Sequence, residues 1–247
     1  KEPKTMTSNA RVLQEAYYMR TAGSYNAMHV HSEGESDEHT IGLYFLSAMI
    51  KHLGIQSILD VGAGTGRVIS FIKKEFPDIM IIGIEPVKEL REQGYLNGIS
   101  PDILIDGDGT QIDFSENQFD LVCEFGVLHH ISHPKKMVFE MIRVARKYIF
   151  ISDSNNFGQG SYITRMIKQT INFVGLWKWY NYVRTRGKHY QISEGDGLFY
   201  SYSVFNNLKQ IRKNCSMIYF LNTDRCGVNL YKTAPHVVLL ARKNIIE

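Results

Sequence analysis

Residues 58–67 read Ile-Leu-Asp-Val-Gly-Ala-Gly-Thr-Gly-Arg, an apolar run that stops at Val61 and turns through alternate glycines. Glycine tolerates positive φ and lets the backbone come close to a ligand. A strand that ends in such a turn and continues as a helix belongs to doubly wound α/β sheets, which bind ligands at the carboxyl ends of their strands. The spacing narrows the choice further. A dinucleotide fingerprint needs Gly-x-Gly-x-x-Gly, and here Arg67 stands where the third glycine would be.

The rest of the chain is consistent with that sheet. Short apolar runs at 57–61, 79–84, 103–105, 119–123 and 148–152 alternate with helical patterns at 66–75, 87–95 and 134–146. Continuously apolar strands separated by helices imply a parallel sheet covered on both faces. Upstream, 9–22 reads as an amphipathic helix with Val12, Leu13, Ala16, Tyr17 and Met19 near one face. A second helix at 40–53, with Ile41, Tyr44, Phe45, Ala48, Met49 and Leu53 at helical spacing, stops at Gly54. Downstream, a helix at 203–213 precedes two apolar runs, 217–221 and 236–241, able to pair as a terminal hairpin. The expected fold is a Rossmann-like, doubly wound, seven-stranded and mostly parallel sheet with an antiparallel last strand and a helical cap insertion. One domain over 1–247 is expected: an N-terminal lid (1–39), a cofactor core (40–153), an acceptor cap (154–202) and a closing segment (203–247).

Three more signals follow in order: Ile81-Ile82-Gly83-Ile84-Glu85, Gly107-Asp108-Gly109-Thr110, and Phe119 to Ile131 with Glu124-Phe125-Gly126 and Leu128-His129-His130. A carboxylate closing the second strand can accept both hydroxyls of a ribose. Together with the glycine turn, these segments resemble class I S-adenosylmethionine-dependent methyltransferases acting on small molecules, strongly over 40–153 and in pattern over 216–242. The resemblance implies S-adenosylmethionine as cofactor and S-adenosylhomocysteine as product. It places Asp60, Gly62, Ala63, Gly64, Thr65, Gly66, Glu85, Pro86, Asp108, Gly109, Thr110, Glu124 and Phe125 around the cofactor, with Tyr25 reaching in from the N-terminal segment. One departure is that Arg143 to Tyr148 runs into the fifth strand without the Pro-Gly-Gly turn of many relatives.

On the acceptor side, His129 stands just past the fourth strand as a base or orienter for a hydroxyl acceptor, with His130 beside it. The Leu128-His129 pair is similar to that of phosphoethanolamine methyltransferases, in which a tyrosine of the N-terminal helix assists. Tyr17, Tyr18 and Tyr25 are open to that role, and Tyr18 is the catalytic candidate carried forward. Asp153, Asn155 and Asn156, past the fifth strand, are candidates to hold the acceptor. Between Ser154 and Ser193 there is no acid but six cations, Arg184 and Lys188 among them, interleaved with Trp177, Trp179, Tyr180, Tyr182 and Tyr190. A cap of that composition suits an anionic acceptor such as a sugar or phosphate-bearing glycan precursor. A solvated basic helix is an equal reading, and contact with a membrane surface is a less favoured third.

No metal is expected, because His29-x-His31 beside Glu33 and Glu35 lacks ligand spacing on a rigid element. Cys123, Cys215 and Cys226 form no C-x-x-C pair. A formal charge of +3 implies no nucleic acid by itself. Lys1 to Ala10 has no apolar leader, so the expectation is a soluble cytoplasmic enzyme, with targeting left open because the chain starts at Lys1. The alternatives are a cofactor-binding regulator without turnover and an N-methyltransferase of a phosphorylated amine. A nicotinamide oxidoreductase is disfavoured by Arg67.

Overall fold

A computed structural model of the chain describes residues 4–21, 37–193, 195–224 and 228–244. Tyr25 and the His29/His31 group lie outside the described residues. Helix α1 (Lys4–Thr21) and helix α2 (Glu38–Leu53) lead into the sheet. Asp37 caps α2 by accepting from the Thr40 N–H at 2.6 Å, and Gly54, at φ 63°, ends it by donating to the Ile50 carbonyl. There follow β1 (Ser57–Val61), α3 (Arg67–Glu75), β2 (Met80–Ile84), α4 (Lys88–Leu96), β3 (Leu104–Ile105) and β4 (Phe119–Phe125). Pro134 opens α5 (Pro134–Val144), which leads directly into β5 (Ala145–Ser154).

Seven strands form one sheet in the order β3-β2-β1-β4-β5-β9-β8, where β8 is Cys215–Asn222 and β9 is His236–Lys243. β1 pairs in parallel with β2 and β4, and β4 with β5. β9 is antiparallel to both β5 and β8, so the last strand of the chain is inserted inside the edge strand. Alternation along each strand supplies two cores. On one face Val61, Val122, Ile149 and Leu239 pack with Met137 and Met141 of α5. On the other, Ile58, Leu121, Phe150 and Leu240 pack with Leu46 and Ile50 of α2 and Ile69 and Ile72 of α3. Burial on both faces explains why these strands are apolar at every step.

Three expectations change. The stripe read on α2 is rotated: Gly42, Leu43, Leu46 and Ile50 are buried, whereas Tyr44 is 63% exposed. On α1, Val12, Leu13 and Met19 are exposed, and Gln14 and Tyr17 are the buried residues. The 157–190 insertion is only partly helical. Helices α6 (Tyr162–Phe173) and α7 (Trp177–Arg184) give way to a separate hairpin of β6 (Tyr190–Ser193) and β7 (Gly197–Tyr200). A short 3-10 turn, Val204–Asn207, precedes helix α8 (Leu208–Asn214). Among the described residues, no helix is long and apolar enough to cross a membrane.

Candidate active site

The turn after β1 is built as its glycines require. Gly62, Gly64 and Gly66 all have positive φ, and a Cβ on Gly62 would stand 2.6 Å from a Val127 methyl. The Gly62 and Ala63 N–H groups donate to the Ile84 carbonyl at 2.9 and 3.0 Å, which ties the turn to the end of β2. One residue further, the buried Glu85 carboxylate accepts from the Gly64 N–H at 3.0 Å and the Val87 N–H at 2.9 Å. Burial pushes its pKa up to about 7, despite those two donors.

Two cavities open at this edge of the sheet. One, of about 450 Å³, is lined by Glu85, Pro86, Val87, Asp108, Gly109 and Thr110 together with residues of the 125–137 segment. Asp108 accepts from both the N–H and the hydroxyl of Thr110, at 2.7 and 2.8 Å, which fixes the loop. The other, of about 430 Å³, takes in Asp60, the 62–65 backbone, Asp37, Glu38, Arg67, His39, His236, His129, Ser154, Asp196 and Asp224. The two share Tyr18, Gly62, Gly64, Phe125, Gly126 and His130. Asp60 is buried with Oδ2 unpartnered, and burial pushes its pKa up to about 7, helped by the Glu85 charge.

In the second of these cavities two histidines converge on one carboxylate. The Asp153 carboxylate, fully buried, stands 2.8 Å from Nδ1 of His129. The His129 Nε2 and His130 Nε2 lie 3.5 and 3.4 Å from the same oxygen, Oδ1 of Asp196. The His130 Nδ1–H donates to the Leu198 carbonyl at 2.6 Å. Burial opposes a charge on His129, but Asp153 and Asp196 outweigh it and raise its pKa to about 10. The same contacts hold Asp196 well below the usual carboxylate range, against its own burial. Across the cavity His39 and His236 meet edge to face, 5.0 Å between centroids. His236 is held near 3, first by burial and then by His39, and His39 is also lowered, chiefly by burial. Burial thus favours the neutral form of both rings, and His39 Nδ1 and His236 Nε2 have no partner among the described residues.

The structure gathers most residues the sequence pointed to, but not all. Gly66 lines neither cavity and instead precedes α3. Glu124 lies behind the wall, one oxygen accepting from the Val127 N–H at 2.9 Å, its burial raising its pKa well above normal. Asn155 is a strut: its amide donates to the carbonyls of Leu230, Tyr231 and Ala234, and its oxygen accepts from Ser203. Asp153, expected to hold the acceptor, is fully buried behind His129, and neither it nor Asn156, Arg184 or Lys188 lines either cavity; the two cations are exposed on and after α7. The residues missed are Asp196, His39, His236, Asp37 and Arg67. Arg67, read only as a departure from a fingerprint, grips Asp37 with two hydrogen bonds of 2.8 and 2.9 Å. Asp196 had a signal in Gly195-Asp196-Gly197, a turn sequence between apolar runs.

Residues 59–149 match the family model for the methyltransferase domain. Over 95 residues the chain is 30% identical to ajmaline N-methyltransferase of Rauvolfia serpentina, a stretch that is 36% of this chain and 32% of that protein. The chain thus spans about a third of the length of that curated relative. Among solved structures, one from Thermotoga maritima, described as a SAM-dependent and possible histamine N-methyltransferase, aligns over 94% of this chain and all of its own, with TM-score 0.57 and 14% identity. Magnesium protoporphyrin IX methyltransferase from Synechocystis with bound SAH aligns over 96% of this chain and all of its own, with TM-score 0.58 and 12% identity. At those identities the likeness is one of fold.

Proposed function

We propose that this chain, whose residues 59–149 match the methyltransferase-domain family model, is a class I S-adenosylmethionine-dependent methyltransferase that transfers the methyl group of S-adenosylmethionine to a hydroxyl or amine of a small molecule. One observation carries the reading: two cavities, one suited to an adenosine and one holding a His-His-Asp cluster, meet at Gly62, Phe125, Gly126 and His130. The residues fit the cofactor. Glu85 would hold the ribose, Asp108 to Thr110 the adenine edge, and Asp60, with its unpartnered oxygen, the ammonium of the methionine end. When bound, the cofactor supplies an electrophilic methyl on a sulfonium.

The chain's own side chains do the rest. Asp153 fixes the His129 ring through Nδ1, and both histidines hold Asp196 over the acceptor cavity. With a pKa near 10, His129 is an imidazolium at neutral pH and serves first to orient Asp196. Asp196 then receives the O–H or N–H of the acceptor and aligns it for in-line attack. An acceptor that draws Asp196 away removes one of the two carboxylates raising His129, which brings Nε2 toward the range of a general base. The wall carries Asp37, Glu38, Asp196 and Asp224, while its cations are engaged, Arg67 by Asp37 and His129 by Asp153 and Asp196. That charge supports a cationic or hydrogen-bond-donating acceptor over the anionic one suggested by the cap's composition. Tyr18 would be the tyrosine that assists, a reading supported by its lining both cavities.

Labelled methyl transfer over a panel of amines and alcohols, with product mass, tests the reading. Asp196→Asn is expected to lower acceptor kcat/KM by about 10²-fold, the lower end for a group handling a proton, while SAH affinity stays unchanged. SAH binding without transfer to any member of the panel, or an Asp196→Asn variant of full activity, would count against it.

A further inference from the structure

The cap helices are inside out. An ordinary surface helix buries its apolar stripe and shows water its polar face. On α6 the polar face is the one that is held: Lys168 is buried, with Nζ donating to the carbonyls of Asn156 and Gln159. Gln169 donates to the carbonyls of Phe157 and Lys232 at 3.0 and 2.8 Å, and Asn172 to the Tyr231 hydroxyl at 2.8 Å. The opposite stripe, Ile163, Met166, Ile167 and Val174, is exposed, and Phe173 beside it is 91% exposed. Rotating α6 to hide that stripe would break these hydrogen bonds and leave a buried ammonium unpaired, a costly exchange.

Helix α7 likewise leaves apolar side chains in solvent. Trp177 turns inward, its ring 5.2 Å from Phe157 and its Nε1–H donating to Ser201, while Trp179, Tyr182 and Val183 face outward. Gly175, at φ 78°, joins the two helices, and both carry large apolar side chains turned to solvent. Large exposed apolar side chains gathered on neighbouring elements mark an interaction site. The charge of the same segment identifies its partner. Lys178 and Arg184 on α7, and Arg186 and Lys188 just after it, are exposed, and no acid occurs from Ser154 to Ser193.

We propose that α6 and α7 form a docking face for an anionic lipid bilayer. The outward Ile163, Met166, Ile167, Phe173 and Trp179 enter the headgroup–acyl boundary and the cations engage lipid phosphates. Apolar insertion and basic charge act together in interfacial helices, and an acid-free cationic segment complements an anionic surface. The docking face and the acceptor cavity share one loop: Gln159 lines the cavity, and Lys168 of α6 holds its carbonyl. Docking does not depend on the methyltransferase reading.

Sedimentation of the chain with vesicles of phosphatidylcholine alone, or phosphatidylcholine with phosphatidylglycerol, tests this. Strong, salt-sensitive binding to the anionic vesicles and weak binding to the neutral ones is expected. Lys178→Gln with Arg184→Gln and Lys188→Gln should lower partitioning about a hundredfold, from roughly fivefold per cation. Phe173→Ser with Trp179→Ser should lower it at least about tenfold through lost apolar insertion. Both variants should keep the parent's thermal unfolding midpoint, which separates lost docking from lost folding. Absence of binding to either vesicle, or binding indifferent to both variants, would overturn the proposal. So would a vesicle-free dimer that Phe173→Ser with Trp179→Ser dissolves, because the face would then join copies of the chain. Failure of methyl transfer would leave vesicle binding untouched.

Discussion

Glu85 is the residue on which the cofactor reading can be tested most directly, because its pKa sits within a convenient range. Burial holds it near 7, and Asp60 is held there too. A protonated carboxyl offers fewer acceptor sites to ribose hydroxyls, and a neutral Asp60 offers no charge to an ammonium. Cofactor binding should therefore tighten as pH rises through about 7 and level off above, with the slope of two coupled protons. Glu85→Gln should weaken SAH binding by about 1–3 kcal/mol and halve that slope, read by calorimetry across the pH range. Binding indifferent to pH would remove both acids from the ligand. Glu85 and Asp108 were legible because each follows an apolar strand at a fixed step. The joining of His39, His236 and Asp196 was not: they lie far apart in the sequence, and only the fold brings α2, β9 and the hairpin turn to one cavity.

Among the elements, the β6–β7 hairpin decides whether Asp196 reaches the histidines. The turn that carries Gly195 and Asp196 ends at Gly197, which has φ 67° and packs so closely that a Cβ would stand 2.6 Å from the Tyr17 ring. Gln14 of α1 accepts from the Leu198 N–H at 2.5 Å next door. Gly197→Ala is expected to cost about 1–2 kcal/mol for the left-handed backbone alone, lowering the unfolding midpoint by roughly 2–8 °C. It should raise acceptor KM with little change in SAH affinity, and an equal loss of both would deny the hairpin its separate role. The sequence hid this hairpin inside a segment read by its charge. Helical periodicity found α2 and part of its buried side, since Phe45, Met49 and Leu53 pack against the core, whereas Tyr44 and Ile41 share the apolar count without sharing the core. On α6 the same logic reverses, because the hydrogen bonds of Lys168, Gln169 and Asn172, invisible in a hydrophobicity pattern, set its orientation.

For the whole molecule, the parallel strands were legible because a sheet covered on both faces must be apolar throughout. The position of β9 was readable in principle by the same rule. His236 to Ala241 is buried at every residue, as an interior strand requires, whereas β8 mixes exposed and half-buried positions like an edge. Sequence proximity showed that the two pair and left open which one meets β5. This arrangement also predicts how the ligand acts on the fold. The cofactor would bridge the loops after β1, β2, β3 and β4, four strands adjacent in the sheet, so its binding should stabilise that core as one unit. At about a hundredfold excess over Kd, SAH should add about 2.7 kcal/mol, equivalent to an unfolding midpoint higher by roughly 5–10 °C at this chain length. NAD should give no shift, because Arg67 and its clasp on Asp37 occupy the place where a dinucleotide turn needs glycine. Glu85→Ala should lose much of the SAH shift at the same ligand concentration. A midpoint raised by NAD and indifferent to SAH would reverse the reading of the glycine turn from which the functional assignment starts.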